Sequence, residues 1–204
     1  YENKEWVWGY RENDPMGGND PYSASKGCAE LVFGAYLKSF IGKTAGRRKI
    51  GAASVRAGNV IGGGDWGKDR LVPDCIAALS SGRAIDIRNP HAVRPWQHVL
   101  EPLGGYLQLA TALLQDSEKY SGAWNFGPDD GSHLTVAEIA DRLIRFWGSG
   151  VWNDLSDPHA LYESKILKLN CDKVHAQLGW RGVLTMEECL QMTVDWYKNF
   201  YRGH

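Results

Sequence analysis

The stretch Asp20-Pro21-Tyr22-Ser23-Ala24-Ser25-Lys26-Gly27 begins the longest helix that the sequence predicts. An acidic residue followed by proline is typical of a helix start, and the apolar residues from there to Tyr36 recur at helical spacing. Tyr22 and Lys26 stand four residues apart, so both side chains lie on one face of this helix. An ammonium group near a phenol stabilises the phenolate, which can then act as a base near neutral pH. The pair therefore predicts a catalytic phenol, although an exposed lysine beside an interfacial tyrosine would explain the same spacing.

Strands and helices alternate on the C-terminal side of this helix. Residues 50–55 are small, β-branched and nearly uncharged, which is typical of a strand buried on both faces of a parallel sheet. Further strands are predicted at 84–87, 123–126, 151–155 and 167–170. Further helices are predicted at 70–79, 98–114, 135–147, 172–178 and 185–201, and loops at 58–67 and from 88 through 97. The alternation predicts an α/β fold with a parallel sheet.

The composition excludes several classes of partner. The 204 residues are 43% hydrophobic and 23% charged, and 23 basic against 24 acidic side chains leave a formal net charge of −1. No apolar run approaches the roughly 18 residues of a membrane span, and the only basic cluster, Arg47-Arg48-Lys49, is short. We therefore expect neither nucleic acid nor a membrane as partner, and a cytoplasmic setting.

The cysteines and histidines do not predict a metal site. The four cysteines are widely scattered, and the six histidines show neither HxxxH nor HExxH spacing. Zinc sites need closely spaced ligands of these types. We therefore expect no metal ion and four reduced thiols.

The motif Pro21-Tyr-Ser-Ala-Ser-Lys26, together with Glu30, resembles the catalytic helix of the extended short-chain dehydrogenase/reductases that act on nucleotide sugars. Five other segments, in order, are similar to the 4,6-dehydratases of that family. They are Tyr1-Glu2-Asn3 before a Trp-Gly-Tyr-Arg-Glu segment, Arg56-Ala-Gly-Asn-Val-Ile-Gly-Gly-Gly-Asp-Trp66, Asp69-Arg-Leu-Val-Pro-Asp74, Arg88-Asn-Pro-His-Ala-Val-Arg-Pro-Trp-Gln-His-Val99 and Trp124-Asn-Phe-Gly-Pro128. The resemblance extends over essentially the whole chain.

This resemblance implies a partial Rossmann-type parallel sheet with a smaller α/β lobe that binds the substrate. Residues 1–57 and about 98–130 would belong to the NAD-binding domain, and about 58–97 and 131–204 to the lobe. It further implies NAD as cofactor, CDP-glucose as the nucleotide sugar, and a homodimer formed through the Tyr22 helix.

The resemblance also assigns roles to individual residues of the cofactor side. Tyr22 and Lys26 would be catalytic and would contact the cofactor. The nicotinamide would lie beside Arg56, Ala57 and Gly58, at the carboxyl end of a parallel strand, where open α/β sheets bind ligands.

A second group of residues is implied to bind the substrate. They are Asn59, Arg70, Leu71, Arg88 and Arg94. Two guanidinium groups can bind a diphosphate bidentately, as the resemblance implies for Arg94 in particular. From the residues alone, a loop asparagine, an ordinary helix start and solvated arginines explain these positions as well.

Three tryptophans next to these motifs have two interpretations. Trp66, Trp96 and Trp124 could stack on a base or form the wall of a sugar pocket, but large aromatic side chains belong more often to the core. We therefore assign a structural role to Trp66 and Trp124 and leave Trp96 open.

Two motifs of the family do not occur in the sequence. One is the Gly-x-x-Gly-x-x-Gly turn, whose amides bind the pyrophosphate of NAD, and Gly62-Gly63-Gly64 is not placed to replace it. The other is a Ser/Thr-Asp-Lys cluster that would supply the acid and base of the elimination and would fall just before Tyr1. We therefore expect the chain to be the C-terminal part of such an enzyme, inactive by itself.

Two alternative functions stay open. One is another nucleotide-sugar epimerase or dehydratase of the same superfamily, since the tyrosine helix is shared among these enzymes. The other is a non-catalytic module that binds nucleotide sugars.

Overall fold

A computed structural model describes residues 1–4, 6–18, 20–41, 50–128, 133–157 and 168–203. The basic cluster at 47–49 and Leu167 lie outside these residues. The chain divides into two compact units. The first unit comprises Tyr1–Ala57, Pro102–Gly127 and Lys168–Gly182. The second unit comprises Gly58–Glu101, Pro128–Leu167 and Val183–His204.

The described residues form α-helices and short strands in alternation. The strands are β1 Ala53–Ala57, β2 Asn59–Ile61, β3 Ile85–Ile87, β4 Val93–His98, β5 Gly122–Phe126, β6 His133–Thr135 and β7 Trp152–Asp154. The helices are α1 Pro21–Tyr36, α2 Leu71–Ser80, α3 Leu100–Gln115, α4 Ser117–Tyr120, α5 Val136–Trp147, α6 Asp172–Leu178 and α7 Met186–Arg202. A π-helical segment, Leu37–Ile41, continues α1.

Most strand pairs are parallel, which confirms the predicted α/β class. In the first unit, β1 pairs in parallel with β5, and Arg56 stands opposite Asn125. In the second unit, β2 pairs in parallel with β4, and β3 with β7. β6 is antiparallel to β4, a pairing that the sequence did not predict.

Local signals account for the helices of the second unit. α5 and α7 each begin with a capping box, in which the side chain of Thr135 or Thr185 accepts from the backbone amide of Glu138 or Glu188 and the glutamate reaches back. Each box satisfies two amide groups that a helix start otherwise leaves unpaired. The predicted helices at 135–147 and 185–201 are thereby confirmed to within a residue or two.

Two strands occupy stretches that were predicted as loops. β2 lies in the predicted loop 58–67, and β4 includes Pro95. The prediction treated glycine and proline as breakers, but β4 buries its residues from Pro95 to His98 and pairs on both sides. Burial and pairing therefore outweighed the local propensity. The predicted strand at 167–170 is, within the described residues, only an isolated bridge between Tyr10 and Leu169.

Each unit has its own apolar core. The core of the second unit includes Ile76, Ile139, Leu143, Leu190 and Tyr197. The core of the first unit includes Leu109, Trp124, Phe126, Val174 and Trp180. Because α6 supplies Val174 to the first core, residues 168–182 pack in the first unit, although the whole of 131–204 was expected in the substrate lobe.

The tryptophans next to the motifs differ in burial. Trp124 and Trp96 are buried, which places each in a core. Trp66 is 51% exposed and packs against Tyr197 and Phe200 at ring-centroid distances of 5.2 and 4.9 Å. Trp66 therefore packs at the rim of an aromatic cluster and not inside the core.

Two properties of the described residues bear on partners. None of their helices has the length and apolar character needed to cross a membrane. Within the same residues, no three His, Cys, Asp or Glu side chains come together as metal ligands would.

Candidate functional site

The first turn of α1 places Tyr22 and Lys26 on an open face. The Asp20 carboxylate caps the helix by accepting from the Ser23 amide at 2.9 Å and from the Ser23 hydroxyl at 2.5 Å, and these hydrogen bonds hold the pKa of Asp20 below its usual value. The Tyr22 side chain is 71% exposed, and Lys26 Nζ lies 5.7 Å from the centroid of its ring. The phenol and the ammonium group are therefore neighbours, as the four-residue spacing predicts, and both are accessible to a ligand.

The remainder of α1 is also open. No residue of this helix is buried. Leu31, Val32 and Tyr36 are exposed, as is Phe40 in the π-helical segment that follows. The helix therefore presents an apolar surface that nothing in the first unit covers among the described residues.

The Arg56 guanidinium is engaged inside the first unit. Its Nη2 donates to Glu30 Oε2 at 2.7 Å, and its Nη1 donates to the Tyr1 hydroxyl at 2.7 Å and to the Glu12 carbonyl at 2.9 Å. The Arg56 and Glu30 side chains are only 15% and 19% exposed. The charged end of Arg56 thus pairs with α1, and its expected place beside the nicotinamide stays a prediction. Ala57, also assigned to the cofactor, ends β1 and is half-buried.

Asn125 extends this polar network to the neighbouring strand. The Tyr1 hydroxyl donates to Asn125 Oδ1 at 2.6 Å, and Asn125 Nδ2 donates to the carbonyls of Tyr10 and Asn170 at 2.9 and 3.1 Å. Asn125 is fully buried. Burial raises the pKa of the Tyr1 phenol, even though its hydrogen bond with Arg56 acts in the opposite direction. Tyr1 therefore stays neutral, and its hydroxyl links Arg56 to Asn125 through two hydrogen bonds.

Gly58 and Asn59 open the second unit. A Cβ atom at Gly58 would lie 2.7 Å from Pro95, so a larger residue cannot occupy this position without displacing β4. Asn59 begins β2 and stands opposite Trp96. It is half-buried on a strand, and not on the loop where it was predicted.

Arg70 and Leu71 lie at the start of α2. Arg70 occupies the cap position without making a side-chain cap hydrogen bond, and its Nη1 contacts both carboxylate oxygens of Asp65 at 3.0 and 3.1 Å. Desolvation raises the pKa of Asp65, but the hydrogen bonds from the Gly67 amide and Arg70 outweigh it and leave this pKa below its usual value. Leu71 packs against the second core.

Arg88 directly follows β3, and Arg94 lies within β4. Arg88 is exposed, and its Nη2 lies 3.5 Å from Asp69 Oδ1. Asp69 has a φ of 60°, which places it in the left-handed region at the turn before α2. Arg94 Nη1 donates to the Val93 carbonyl at 3.0 Å. The second unit thus holds all five residues that were assigned to the substrate, and the first unit holds Tyr22 and Lys26.

Sequence reasoning missed the side chains that hold Arg56. Tyr1 and Asn125 were given no ligand role, and Glu30 was quoted only as part of a motif. One signal was available: a charged residue inside a buried strand needs a partner, and buried arginines are almost always paired. The identity of that partner depends on contacts between distant residues, which the spacing in the sequence does not reveal.

Comparison with known proteins confirms the resemblance that the motifs carry. No family model matches the chain. Over all 204 residues the chain is 50% identical to CDP-glucose 4,6-dehydratase of Salmonella typhimurium, and it covers 57% of that protein. It is 26% identical over 191 residues to dTDP-glucose 4,6-dehydratase of Streptomyces antibioticus, covering 92% of this chain and 52% of that protein. The chain therefore spans little more than half the length of these relatives.

Solved structures match the fold. The dTDP-glucose 4,6-dehydratase of Streptomyces venezuelae, solved with NAD and TYD bound, matches with a TM-score of 0.78 at 23% identity, covering 96% of this chain and 56% of that one. The UDP-glucose 4-epimerase of Thermotoga maritima, solved with UDP-glucose, also has a TM-score of 0.78, at 18% identity, covering 96% of this chain and 59% of that one. At these identities the matches establish the α/β fold, which dehydratases and an epimerase share.

Proposed function

We propose, on the premise of this resemblance to the nucleotide-sugar dehydratases, that the protein converts CDP-glucose to CDP-4-keto-6-deoxyglucose with NAD as cofactor. The observation that carries the proposal is the Tyr22–Lys26 pair. It stands on an open face of a capped helix, in a chain that shares half of its residues with a CDP-glucose 4,6-dehydratase. The dTDP-glucose dehydratases share only about a quarter, which favours CDP-glucose as substrate.

In this proposal Tyr22 is the base of the oxidation step. Its phenolate removes the proton of the C4 hydroxyl, and the Lys26 ammonium stabilises that phenolate. When bound, NAD accepts a hydride from C4 and returns it to C6. The ketone formed at C4 acidifies the proton at C5, so water can leave across C5 and C6. We assign no residue of this chain to the acid and base of that elimination.

The cofactor contacts that this chain can offer are few. The exposed Tyr22 hydroxyl and Lys26 ammonium are hydrogen-bonding groups of the kind that recognise a ribose. Because the Arg56 guanidinium is held by Glu30, we propose that Arg56, Ala57 and Gly58 act at the nicotinamide through their backbone. A substitution that removes only the Arg56 side chain would then act through the helix and not through a lost ligand contact.

The substrate contacts are proposed for Asn59, Arg70, Leu71, Arg88 and Arg94. Arg70 and Arg88 each face an aspartate, Asp65 and Asp69. A diphosphate carries more negative charge than one carboxylate and can bind two guanidinium groups. We therefore propose that substrate displaces these weak, exposed pairs when it binds.

Turnover of CDP-glucose tests the proposal. Tyr22→Phe removes the base and is expected to abolish formation of the 4-keto product. Tyr36→Phe, a second exposed tyrosine on α1, is the matched control and should keep wild-type turnover. Turnover that survives Tyr22→Phe would refute the role of Tyr22.

Two further measurements separate the alternatives. Competition among CDP-, UDP- and dTDP-glucose distinguishes this dehydratase from other enzymes of the superfamily. Calorimetry of the 204-residue chain with CDP-glucose and with NAD shows whether the chain binds either ligand by itself. That the chain alone is inactive stays a prediction.

We also propose that the protein forms a homodimer through α1. The exposed Leu31, Val32, Tyr36 and Phe40 form an apolar surface of the kind that marks a protein interface. Leu31→Glu is expected to produce a monomer in sedimentation experiments. Leu114→Glu, at an equally exposed leucine of α3, should not. A wild-type monomer at micromolar concentration would refute this proposal.

A further inference from the structure

The helix that carries Tyr22 and Lys26 is attached to the sheet of the first unit by a polar contact. Among the described residues, α1 supplies no side chain to the apolar core of the unit. Glu30 is the residue of α1 whose side chain forms hydrogen bonds with β1. It follows Tyr22 and Lys26 at the same four-residue spacing, so the three side chains form one stripe along the helix.

Glu30 bridges two residues of the same strand. Its Oε2 accepts from Arg56 Nη2 at 2.7 Å and from the Ser54 hydroxyl at 2.8 Å. Ser54 and Arg56 are two residues apart on β1, so both point to the same face of the strand pair. A single carboxylate oxygen therefore joins the helix to one face of β1.

The strand side of this contact is itself fixed. Arg56 Nη1 donates to the Tyr1 hydroxyl, which in turn donates to Asn125 on β5. Because β5 pairs with β1 and Asn125 stands opposite Arg56, the network joins the two paired strands at one position of their register. The guanidinium can rotate only if several hydrogen bonds break together, so Glu30 meets a rigid partner.

We propose that Glu30 is a positioning residue for the Tyr22–Lys26 pair, which it holds in register with the carboxyl end of β1 through Arg56 and Ser54. This inference rests on the proposed function. It does not require Glu30 to touch substrate or cofactor. It assigns the side chain of Arg56, which was expected beside the nicotinamide, to the support of the catalytic helix.

Kinetics of Glu30→Ala test the proposal. A displacement of reacting groups by up to about 1 Å lowers a rate by about 10- to 100-fold. We expect kcat to fall by about that factor, while KM for CDP-glucose stays within about twofold because the residues proposed to bind it belong to the second unit. Glu30→Gln keeps an oxygen that can accept from Arg56, and it should retain more of kcat than Glu30→Ala.

The matched control is Glu187, a carboxylate of the second unit that has two arginine partners. Glu187 contacts Arg142 at 2.9 Å and also Arg145, on the exposed surface of the second unit. Glu187→Ala should leave kcat and KM unchanged. If Glu30→Ala does not fold, Ser54→Ala tests the proposal in its place. This variant removes one hydrogen bond to Glu30 without leaving an unpaired charge, and it should lower kcat about threefold or more. An unchanged kcat in the folded Glu30→Ala or Ser54→Ala variant would overturn the proposal.

Hydrogen exchange on the 204-residue chain separates this inference from the proposed function. We expect the amides of α1 to exchange at least about tenfold faster in Glu30→Ala than in the wild type, with no such change in Glu187→Ala. If the wild-type protein does not dehydrate CDP-glucose, the proposed function fails and the exchange rates still decide whether Glu30 holds the helix. Unchanged exchange in α1 would refute the positioning role whatever the activity.

Discussion

The two units of the chain bury different kinds of side chain. In the second unit, α5 and α7 contribute Ile139 and Leu190 to an apolar core, and both side chains are fully buried. The first unit also has an apolar core, around Trp124, but α1 contributes nothing to it. What holds α1 there is a network of charged and polar groups centred on Arg56.

This difference has a physical consequence. Apolar burial is non-directional, so it favours compactness more than one particular orientation of a side chain. A buried polar network stabilises only the geometry in which every member has its partner, and it becomes costly when one member is lost. The first unit therefore fixes the orientation of a helix that carries candidate catalytic groups, whereas the second unit supplies stability of a more general kind.

The largest expected effect is the loss of a buried leucine from the second unit. Leu190→Ala leaves a cavity in a core that α7 closes, and we expect it to lower the free energy of unfolding by about 2 to 5 kcal/mol. Leu114→Ala, on α3 of the first unit, removes a side chain that is 79% exposed and should change stability by less than about 0.5 kcal/mol. Urea unfolding of both variants measures the two losses of stability. Equal losses would contradict the expected contrast.

A smaller loss is expected from the polar network of the first unit. Asn125→Leu keeps the approximate volume but removes the donor to the Asn170 carbonyl and the acceptor of the Tyr1 hydroxyl, while the Tyr10 carbonyl keeps only the Asn170 amide as donor. We expect a loss of about 1 to 3 kcal/mol in the free energy of unfolding, as for other buried groups that lose a partner. The control is Asn199→Leu at an exposed position of α7. If Asn125→Leu proves as stable as the wild type, the network does not stabilise the first unit.

The same contrast separates what the sequence could predict from what it could not. Capping boxes at Thr135 and Thr185 are signals within four residues, and they placed α5 and α7 correctly. The face shared by Tyr22 and Lys26 follows from helical spacing, which is equally local. Such features depend on neighbours along the chain, so one sequence suffices to predict them.

Features that depend on distant partners were predicted poorly. β4 was expected as a loop because Pro95 is a breaker by propensity, yet its pairing with β2 and β6 makes it a strand. The partner of Arg56, Glu30, stands 26 positions away and gives no signal through spacing. The identity of buried ion pairs in this chain follows from the tertiary fold, and the sequence pattern indicates only that a partner must exist.

The smallest expected effect is a pH dependence of the folding stability, which arises in the second unit. His98 ends β4 and its ring is buried, so burial lowers its pKa, although the nearby Glu101 carboxylate opposes this shift. The unfolded chain, where a histidine has a pKa of about 6.5, therefore binds more protons than the folded chain as the pH falls below that value. Folding stability should decrease with acidification from there down to the lower folded pKa.

Urea midpoints at about pH 7.5 and about pH 5.5 bracket the onset of this loss, because the ordinary histidine pKa lies between them. His98→Gln removes the titrating group, so its two midpoints should differ less than those of the wild type. His91→Gln, at an exposed position before β4, is the control and should keep the wild-type difference. The carboxylates of the capping boxes do not interfere, because the pKa of Glu138 and of Glu188 lies below the usual glutamate value. Their contribution to folding stability is lost only at more acidic pH. A loss of stability between about pH 7.5 and about pH 5.5 that persists in His98→Gln would therefore exclude His98 as its source.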